Sequence, residues 1–404
     1  MYSFTPFRIL KKDPEQQTQL VQDLSKTQLG SLHLDYLDGL RALAALYVVL
    51  CHASLHVDVD QSSFSLAGLL YKLVHKGHYS VDFFIVISGF CLMLPVVRRN
   101  GIMRDSTFQF IRKRAKRILP PYYLAMGFTL LLIATLIGQD TGTIWHKSIP
   151  VTSWDIVTHL FLIQDVFEDT FSTINYAFWS ISVEWRIYFL FPLLVLSWRK
   201  LGPFTTTLAT ILLTPMLWLA LLPTDLNTGI NGVSVHYVAL FTLGMLAAHI
   251  SFSEQALCAR LRDKLPWKAI AVAVILVGLS KFALERATGL TLWILTDIMI
   301  GIAAAGLLLT ITSGKLPLLH KFLSWQPLVF IGTFAYSIYL IHAPLLQVLS
   351  QYMVAPLNLS PLAGILSLFF FSFTLILGAS YLFFLVAERP FMRKKNITAK
   401  AAPA

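Results

Sequence analysis

The sequence predicts an all-α protein: a polytopic integral membrane helix bundle of about ten transmembrane helices with both termini in the cytoplasm. Two observations support this fold class. Of the 404 residues, 56% are hydrophobic and only 13% are charged, whereas about 25% of the residues in an ordinary soluble domain are charged. The Lys and Arg residues also collect in alternate loops, as the positive-inside rule describes. This composition excludes soluble, secreted and nucleic-acid-binding classes of protein.

Ten apolar stretches are long enough for the roughly 20-residue helix that a bilayer core requires. They cover approximately 37–57, 79–97, 119–138, 177–198, 204–222, 232–250, 267–284, 290–312, 328–349 and 361–387. Residues 1–36 are polar and lack the apolar core of a signal peptide, so we expect a cytoplasmic extension there. The predicted transmembrane domain then covers 37–392, and a basic cytoplasmic tail follows at 393–404.

The distribution of positive charge sets the predicted orientation. With the N-terminus inside, 25 of the 32 Lys and Arg residues lie in inner segments, five in outer loops and two within spans. The outer five are Lys72, Lys76, Lys147, Lys281 and Arg286, and the two within spans are Arg41 and Arg186. The formal net charge of +11 therefore mainly reflects orientation, because basic loops remain in the cytoplasm.

One inner loop is more basic than topology requires. Residues 98–117 contain eight cations and one acid. Such a loop is typical of an anchor for anionic lipid head groups, or of a site for a polyanionic cytosolic ligand. Arg114 and Arg117 are three residues apart and share a helix face, where two guanidinium groups can grip phosphates.

Ionisable side chains at membrane depth are candidate functional residues, because their insertion costs free energy. Arg41 and His52 are eleven residues apart, about 20° beyond three full helical turns, so they share one face about 16 Å apart. His52 is either a general base or a packing histidine. His56 lies one turn further on, but no third ligand follows in a matching pattern, so we expect no metal site.

Three further spans contain polar residues with a recognisable spacing. Ser180, Glu184 and Tyr188 fall on one face of span 4, and Arg186 points away and is free to pair with a different acid. Gly89 beside Ser88 indicates a close helix approach in span 2. At the end of span 10, Glu388 and Arg389 are most simply a charge pair at a helix end.

Six segments, in order and at similar spacings, resemble the acyltransferase-3 family, the O-antigen-acetylase-like integral membrane acyltransferases. They are LDGLRALAALYVVLCH, VDFFIVISGF, IRKRAKRILPPYY, WSISVEWRIYFLFPLL, YSIYLIHAPL and AERPF. The resemblance covers roughly residues 35 to 392. Many bacterial members also carry a C-terminal esterase-like domain, whereas this sequence stops soon after span 10.

The resemblance implies functional residues, motif by motif. The family's Arg-x10-His motif falls on Arg41 and His52, and its Arg-x-x-Arg motif, associated with acyl-CoA, falls on Arg114 and Arg117. Its Ser-x-Glu-x-x-Phe-Tyr motif falls on Ser182, Glu184 and Tyr188, with Ile187 in place of Phe, and its aspartate falls on Asp82. We therefore expect His52, Glu184 and Asp82 to be catalytic, Arg41, Lys113, Arg114 and Arg117 to bind the donor, and Ser182, Tyr188 and His342 to bind substrate.

The implied reaction is O-acyl transfer from cytosolic acyl-CoA, most simply acetyl-CoA, to a carbohydrate or glycoconjugate hydroxyl at the membrane or its outer face. We expect His52, oriented by Glu184 or Asp82, to act as base or to carry the acyl group itself. The location would be the plasma (inner) membrane, with membrane lipid as a further partner. A proton-coupled transporter of polysaccharide or small molecules and a lipid-directed membrane acyltransferase are the alternatives. The outer loop 139–177, with Trp154, Asp155, Asp165, Glu168 and Asp169, is the predicted wall of the acceptor site.

Overall fold

The structure is a computed structural model that describes residues 34–60, 65–227, 229, 232–267, 269, 270, 272, 276 and 293–392. Contacts within the chain divide it into residues 1–35 and 36–404, and the first unit lies almost wholly outside the described residues. The second unit is helical, and its described residues include no strand. The prediction of an all-α membrane bundle is confirmed.

Fifteen α-helices follow one another along the described residues. They are α1 (Asp35–Ser54), α2 (Leu66–Val74), α3 (Tyr79–Val97), α4 (Thr107–Leu132), α5 (Ser153–Leu160), α6 (Trp179–Leu201), α7 (Pro203–Leu221), α8 (His236–Phe252), α9 (Ala256–Lys264), α10 (Trp293–Thr312), α11 (Pro317–Leu323), α12 (Gln326–Thr333), α13 (Ala335–Leu349), α14 (Pro361–Phe371) and α15 (Leu377–Phe383). Four wider π turns interrupt or extend the long helices, at Ile133–Ile137, Ser350–Val354, Ser372–Ile376 and Phe384–Glu388.

Eight segments in the described part of the chain are long and apolar enough to cross a membrane, and a ninth if α8 and α9, bent by 98° at their junction, count as one span. The eight are Asp35–Ser54, Leu66–Val97, Thr107–Ile137, Trp179–Leu201, Pro203–Leu221, Trp293–Thr312, Ala335–Leu357 and Pro361–Phe391. The predicted span at 267–284 lies mostly outside the described residues. The others correspond to the remaining nine predicted stretches.

One predicted boundary is wrong. The stretch expected at 328–349 is two helices, because the backbone leaves helical geometry at Phe334 (φ −121°, ψ 22°) between α12 and α13. The spanning segment is Ala335–Leu357. Close to the break, Gly332 at the end of α12 packs against α1, where a Cβ would lie 2.0 Å from the backbone oxygen of Asp38.

The centre of the bundle is the contact between α3 and α8. A Cβ at Gly89 would lie 2.1 Å from the oxygen of Phe241, and a Cβ at Gly244 would lie 2.0 Å from the oxygen of Val86. Because only glycine lacks a Cβ atom, Gly89 and Gly244 allow the backbones of α3 and α8 to lie in direct contact. The close approach predicted at Gly89 is confirmed, and it fixes α3, the helix that carries Ser88 and Asp82.

The loop between α4 and α6 is a packed segment. Its helix α5 begins with a capping box, in which the Thr152 side chain accepts from the Asp155 amide and Asp155 accepts from the Thr152 amide. Arg186 of α6 donates two hydrogen bonds to the fully buried Asp165 of this loop, one of them at 2.7 Å. The expectation that Arg186 points away from Glu184 to another acid is confirmed, and the pair fastens the loop to α6.

Candidate active site

His52 lies in the last turn of α1 and contacts a second histidine from α13. Its Nδ1 atom is 2.7 Å from Nε2 of His342, and the two parallel rings have centroids 5.0 Å apart. The edge of Tyr176 approaches His52 at a centroid distance of 5.0 Å. His342 is fully buried, whereas His52 is partly exposed. The two rings therefore form a pair in which only His52 has an accessible side.

The carbonyl partners of His342 assign the tautomers of this pair. Its Nδ1 atom is 2.8 Å from the backbone oxygen of Tyr339 and 3.1 Å from that of Ile338. A carbonyl only accepts, so in the neutral ring this nitrogen carries the proton and Nε2 is an acceptor. His52 then donates from Nδ1 to His342. The lone pair of neutral His52 is thereby left on Nε2, the arrangement that a general base requires.

The partner of His52 differs from the expected one. The sequence predicts that Glu184 or Asp82 orients its ring, but in the structure Nδ1 of His52 forms its hydrogen bond with His342. Glu184 accepts hydrogen bonds from Ser88 and Tyr188 instead. Asp82 is fully buried in the first turn of α3, close to Asp297 and Tyr237. The orienting contact of His52 is therefore a neutral ring and not a carboxylate.

His52 opens onto a cavity of about 310 Å³, which we call the outer cavity. Its walls come from the end of α1, the α2–α3 junction, the loop between α4 and α6, and the starts of α6 and α13. The residues that the chemistry can use are His52, His75, Lys76, His78, Lys147, Tyr176, Trp179 and Tyr339. The loop predicted as a wall of the acceptor site does line this cavity, through Ile144, Lys147, Phe171, Ser172 and Tyr176 and not through the residues singled out from the sequence.

A second group of polar residues, the inner cluster, lies toward the predicted cytoplasmic side and consists of Arg41, Ser88, Arg114, Glu184 and Tyr188. Ser88 donates to Glu184 at 3.0 Å, and Tyr188 donates to the same oxygen. The Arg114 guanidinium lies 5.7 Å above the Tyr188 ring. Arg41 also lies near Tyr188. The cluster joins α1, α3, α4 and α6 around one carboxylate.

Arg41 is fixed between two helices. It donates to Asp38 at 2.6 Å and to the sulfur of Cys91 at 3.0 Å. Ser180, one turn before Glu184, bonds the Tyr339 hydroxyl at 2.6 Å. The predicted polar face of α6 is therefore confirmed, since Ser180, Glu184 and Tyr188 all bond toward α3 and α13. Tyr339 lines the outer cavity, so this face leads from the cavity toward the inner cluster.

The remaining predicted residues lie around these two centres. Lys113 is exposed and pairs with Asp105. Arg117 is also exposed and lies near Glu388. Ser182 is fully buried, and its hydroxyl has no hydrogen-bond partner among the described residues.

The expected pair of Glu388 and Arg389 is wrong. The Glu388 carboxylate is buried and accepts from the Ser337 hydroxyl at 2.7 Å, while Arg389 is exposed. Sequence reasoning also missed Ser88 as a partner of Glu184. In the sequence, its position one residue before Gly89 indicates only helix packing.

Comparison with known proteins identifies the family. Residues 34–384 match the family model described as an acyltransferase domain, Acyl_transf_3. O-acetyltransferase OatA of Staphylococcus aureus is 26% identical over 339 residues, 80% of this chain and 52% of that protein. The putative peptidoglycan O-acetyltransferase YrhL of Bacillus subtilis is 24% identical over 331 residues, 77% of this chain and 48% of that protein.

Peptidoglycan O-acetyltransferase OatA of Listeria monocytogenes is similar at the same level, 24% over 350 residues, 79% of this chain and 50% of that protein. The chain thus spans about half the length of the curated relatives it matches. No solved structure matches it significantly. The family match covers most of the chain, including the outer cavity and the inner cluster, and on this evidence the chain belongs to the acyltransferase-3 family.

Proposed function

We propose that this protein is an O-acyltransferase that moves an acyl group from acyl-CoA, most simply acetyl-CoA, to a hydroxyl of a carbohydrate or glycoconjugate. The observation that carries the proposal is His52, whose tautomer leaves a basic nitrogen at the wall of a cavity. The O-acetyltransferases among its relatives support the same chemistry. A transporter, the alternative from the sequence, has no comparable support.

The proposal assigns the two ends of the bundle to the two substrates. The basic loop and Arg114 lie at the predicted cytoplasmic end, where acyl-CoA is available, and guanidinium groups bind phosphate well. Arg41, Arg117 and Lys113 add positive charge at that end. The outer cavity lies among loops predicted to face the other side, in the plasma membrane of the cell. The acceptor would enter there.

In the proposed reaction, Nε2 of His52 removes the proton of the acceptor hydroxyl as its oxygen attacks the thioester carbonyl. The carbon–sulfur bond then breaks, and the leaving thiolate takes the proton from the His52 imidazolium. His342 holds the ring in the reactive tautomer throughout. Glu184 and Tyr188 lie along the path of the acyl chain, and Ser182 and Asp82 support the helices that form it.

The experiment is acyl transfer by the purified protein in nanodiscs, with labelled acetyl-CoA and a soluble oligosaccharide. Release of CoA thiol together with labelled sugar is expected. His52→Ala should reduce turnover by at least about 100-fold, the usual contribution of a general base. Full activity of His52→Ala, or no donor consumption by the wild-type protein, would refute the proposal. Label found covalently on His52 would show a two-step route.

The donor end has its own test. Arg114→Gln combined with Arg117→Gln should raise the KM for acetyl-CoA about tenfold or more, because each removes a charge-assisted contact with phosphate. Arg112→Gln combined with Lys116→Gln is the matched control, since both side chains are exposed on the same helix. Equal effects of the two pairs would mean that the loop acts only through its total charge.

A further inference from the structure

Two lysines contribute positive charge to the lining of the outer cavity. Besides His52, its lining includes His75, Lys76, His78 and Lys147, and none of the residues that line it is an Asp or Glu, although His78 lies 3.8 Å from the buried Asp297 behind the wall. A neutral sugar hydroxyl needs no such surroundings, because hydroxyl, amide and carbonyl groups bind it adequately. The two lysines, Lys76 and Lys147, are therefore a part of this lining that the proposed base at His52 does not use.

Topology does not explain these lysines. In the predicted orientation only five of the 32 Lys and Arg residues lie in outer loops, since cations there oppose the positive-inside rule. Two of those five, Lys76 and Lys147, line this one cavity. They come from different parts of the chain, before α3 and between α4 and α6, and folding brings both to the same opening. That convergence indicates a ligand and not an anchor.

The other walls suit a sugar ring. Phe171, Tyr176, Trp179 and Tyr339 line the same space, and aromatic faces pack well against the apolar side of a sugar ring. Tyr176 also touches His52, with ring centroids 5.0 Å apart. A ring placed against these side chains would have one edge toward His52 and another toward the lysines.

We propose that the acceptor is an anionic carbohydrate, with a carboxylate or phosphate held by Lys147 and Lys76 while one of its hydroxyls faces His52. This inference rests on the proposed function and specifies its acceptor. The anion would fix the sugar in the cavity, so that the lysines select which hydroxyl reaches Nε2. A neutral sugar of the same size would bind more weakly and in several orientations.

The first experiment compares acceptors that differ only in charge. An oligosaccharide with a free carboxylate is tested against its methyl ester, with the wild-type protein in nanodiscs of zwitterionic lipid. The carboxylate form should have a kcat/KM at least about tenfold higher, the scale of one charge-assisted hydrogen bond. A phosphorylated oligosaccharide and its neutral parent form a second pair that identifies which anion is preferred.

The second experiment uses lysine variants with a matched control. Lys147→Gln and Lys76→Gln should each raise the KM for the anionic acceptor about tenfold, and leave the KM for the neutral ester and for acetyl-CoA unchanged. Lys147→Glu should reverse the preference between the two acceptors. Lys72→Gln is the control, because Lys72 is an exposed cation of α2 that does not line the cavity.

Binding to the His52→Ala protein, measured by calorimetry with the same oligosaccharides, tests the inference without turnover. Equal binding of charged and neutral forms would overturn it, even if acyl transfer occurs. A rise in the KM for acetyl-CoA in the lysine variants would also overturn it, since the cavity would then bind donor phosphates. A response to added anionic lipid, with no response to acceptor charge, would assign the lysines to lipid head groups and likewise reject it.

Discussion

His52 and His342 are joined by a hydrogen bond of 2.7 Å between Nδ1 and Nε2, although they are 290 residues apart in the chain. The ring of His342 is itself fixed by the backbone oxygens of Tyr339 and Ile338, one turn earlier in α13. The tautomer of His52 is thus determined by the backbone of another helix. No carboxylate is needed for this, in contrast to the familiar arrangement in which an acid orients the histidine.

Replacing His342 tests this relationship. His342→Leu removes the acceptor for the His52 Nδ1 proton, so we expect kcat to fall by about 10- to 100-fold with little change in either KM. His342→Gln offers a side-chain oxygen in a similar place and should retain more of the activity. Both are measured by CoA release at saturating substrates. Equal activity of the two variants, or a change in KM alone, would contradict a positioning role.

The contact between α3 and α8 gives a prediction about stability. Gly89→Ala places a methyl group against the oxygen of Phe241, and overpacking of this kind costs about 1–3 kcal/mol. Transfer activity should fall as well, since Ser88 is the adjacent residue. Gly127→Ala is the control, because a Cβ there meets nothing within 4 Å. The melting temperatures of the Gly89→Ala and Gly127→Ala variants are compared in one detergent. Equal melting temperatures would show that α3 and α8 move apart to accommodate the added methyl group without cost.

The pair of Arg186 and Asp165 gives a prediction about the outer loop. Burial raises the pKa of Asp165, and the hydrogen bonds from Arg186 lower it. Arg186→Gln leaves the carboxylate without its main partner, which costs about 3 kcal/mol for a buried pair, and the cost should grow as the pH rises. Adding Asp165→Asn should recover most of the loss. A double-mutant cycle from denaturation curves measures this, and additive effects would mean that the pair contributes nothing.

His159 makes the same loop sensitive to acid. Burial lowers the pKa of this histidine to about 4, although its Nδ1 bonds the oxygen of Asp155, while an unfolded chain has a value near 6.5. Between about pH 4 and pH 6.5 the unfolded state therefore binds more protons at this histidine than the folded state does. Stability should be complete above about pH 6.5 and fall by up to about 3 kcal/mol as the pH approaches 4.

His159→Gln should remove that part of the pH dependence, because a glutamine side chain does not titrate. Its amide can still donate to the backbone oxygen of Asp155, so the loop should keep its structure. The measurement is the melting temperature between pH 7.5 and pH 4.5. His146→Gln, at an exposed histidine of the same loop, is the control and should leave the pH dependence unchanged. A wild-type melting temperature that is flat over this range would contradict the prediction.

The features that sequence predicted well are local. Of the ten apolar stretches that hydropathy and charge predict, nine correspond to helices of the structure. A helical period of 3.6 residues predicts that Ser180, Glu184 and Tyr188 share one face. Gly89 was identified as a close contact because a small residue in a membrane helix has few other uses. These inferences need only neighbouring residues and the geometry of a single helix.

The features that sequence missed depend on distant segments. Nothing near His52 indicates that its partner is in α13. Nothing near Glu388 indicates that its carboxylate accepts a hydrogen bond from Ser337 and does not pair with Arg389. Gly332, next to the break between α12 and α13, packs against Asp38 of α1. Such pairs arise from how helices lie against one another, and hydropathy does not contain that information.

The π turn at Phe384–Glu388 has a consequence for the register of the last span. A π turn contains one residue more than an α turn, which changes the phase of whatever follows by about 100°. In the observed phase, Glu388 points to Ser337 and Arg389 points outward. With one residue fewer, the carboxylate would rotate away from Ser337 to the phase now held by the buried Ala387 and lose this hydrogen bond, and a buried acid without a partner is costly. The number of residues in a single turn thus decides whether this buried acid has a hydrogen-bond donor.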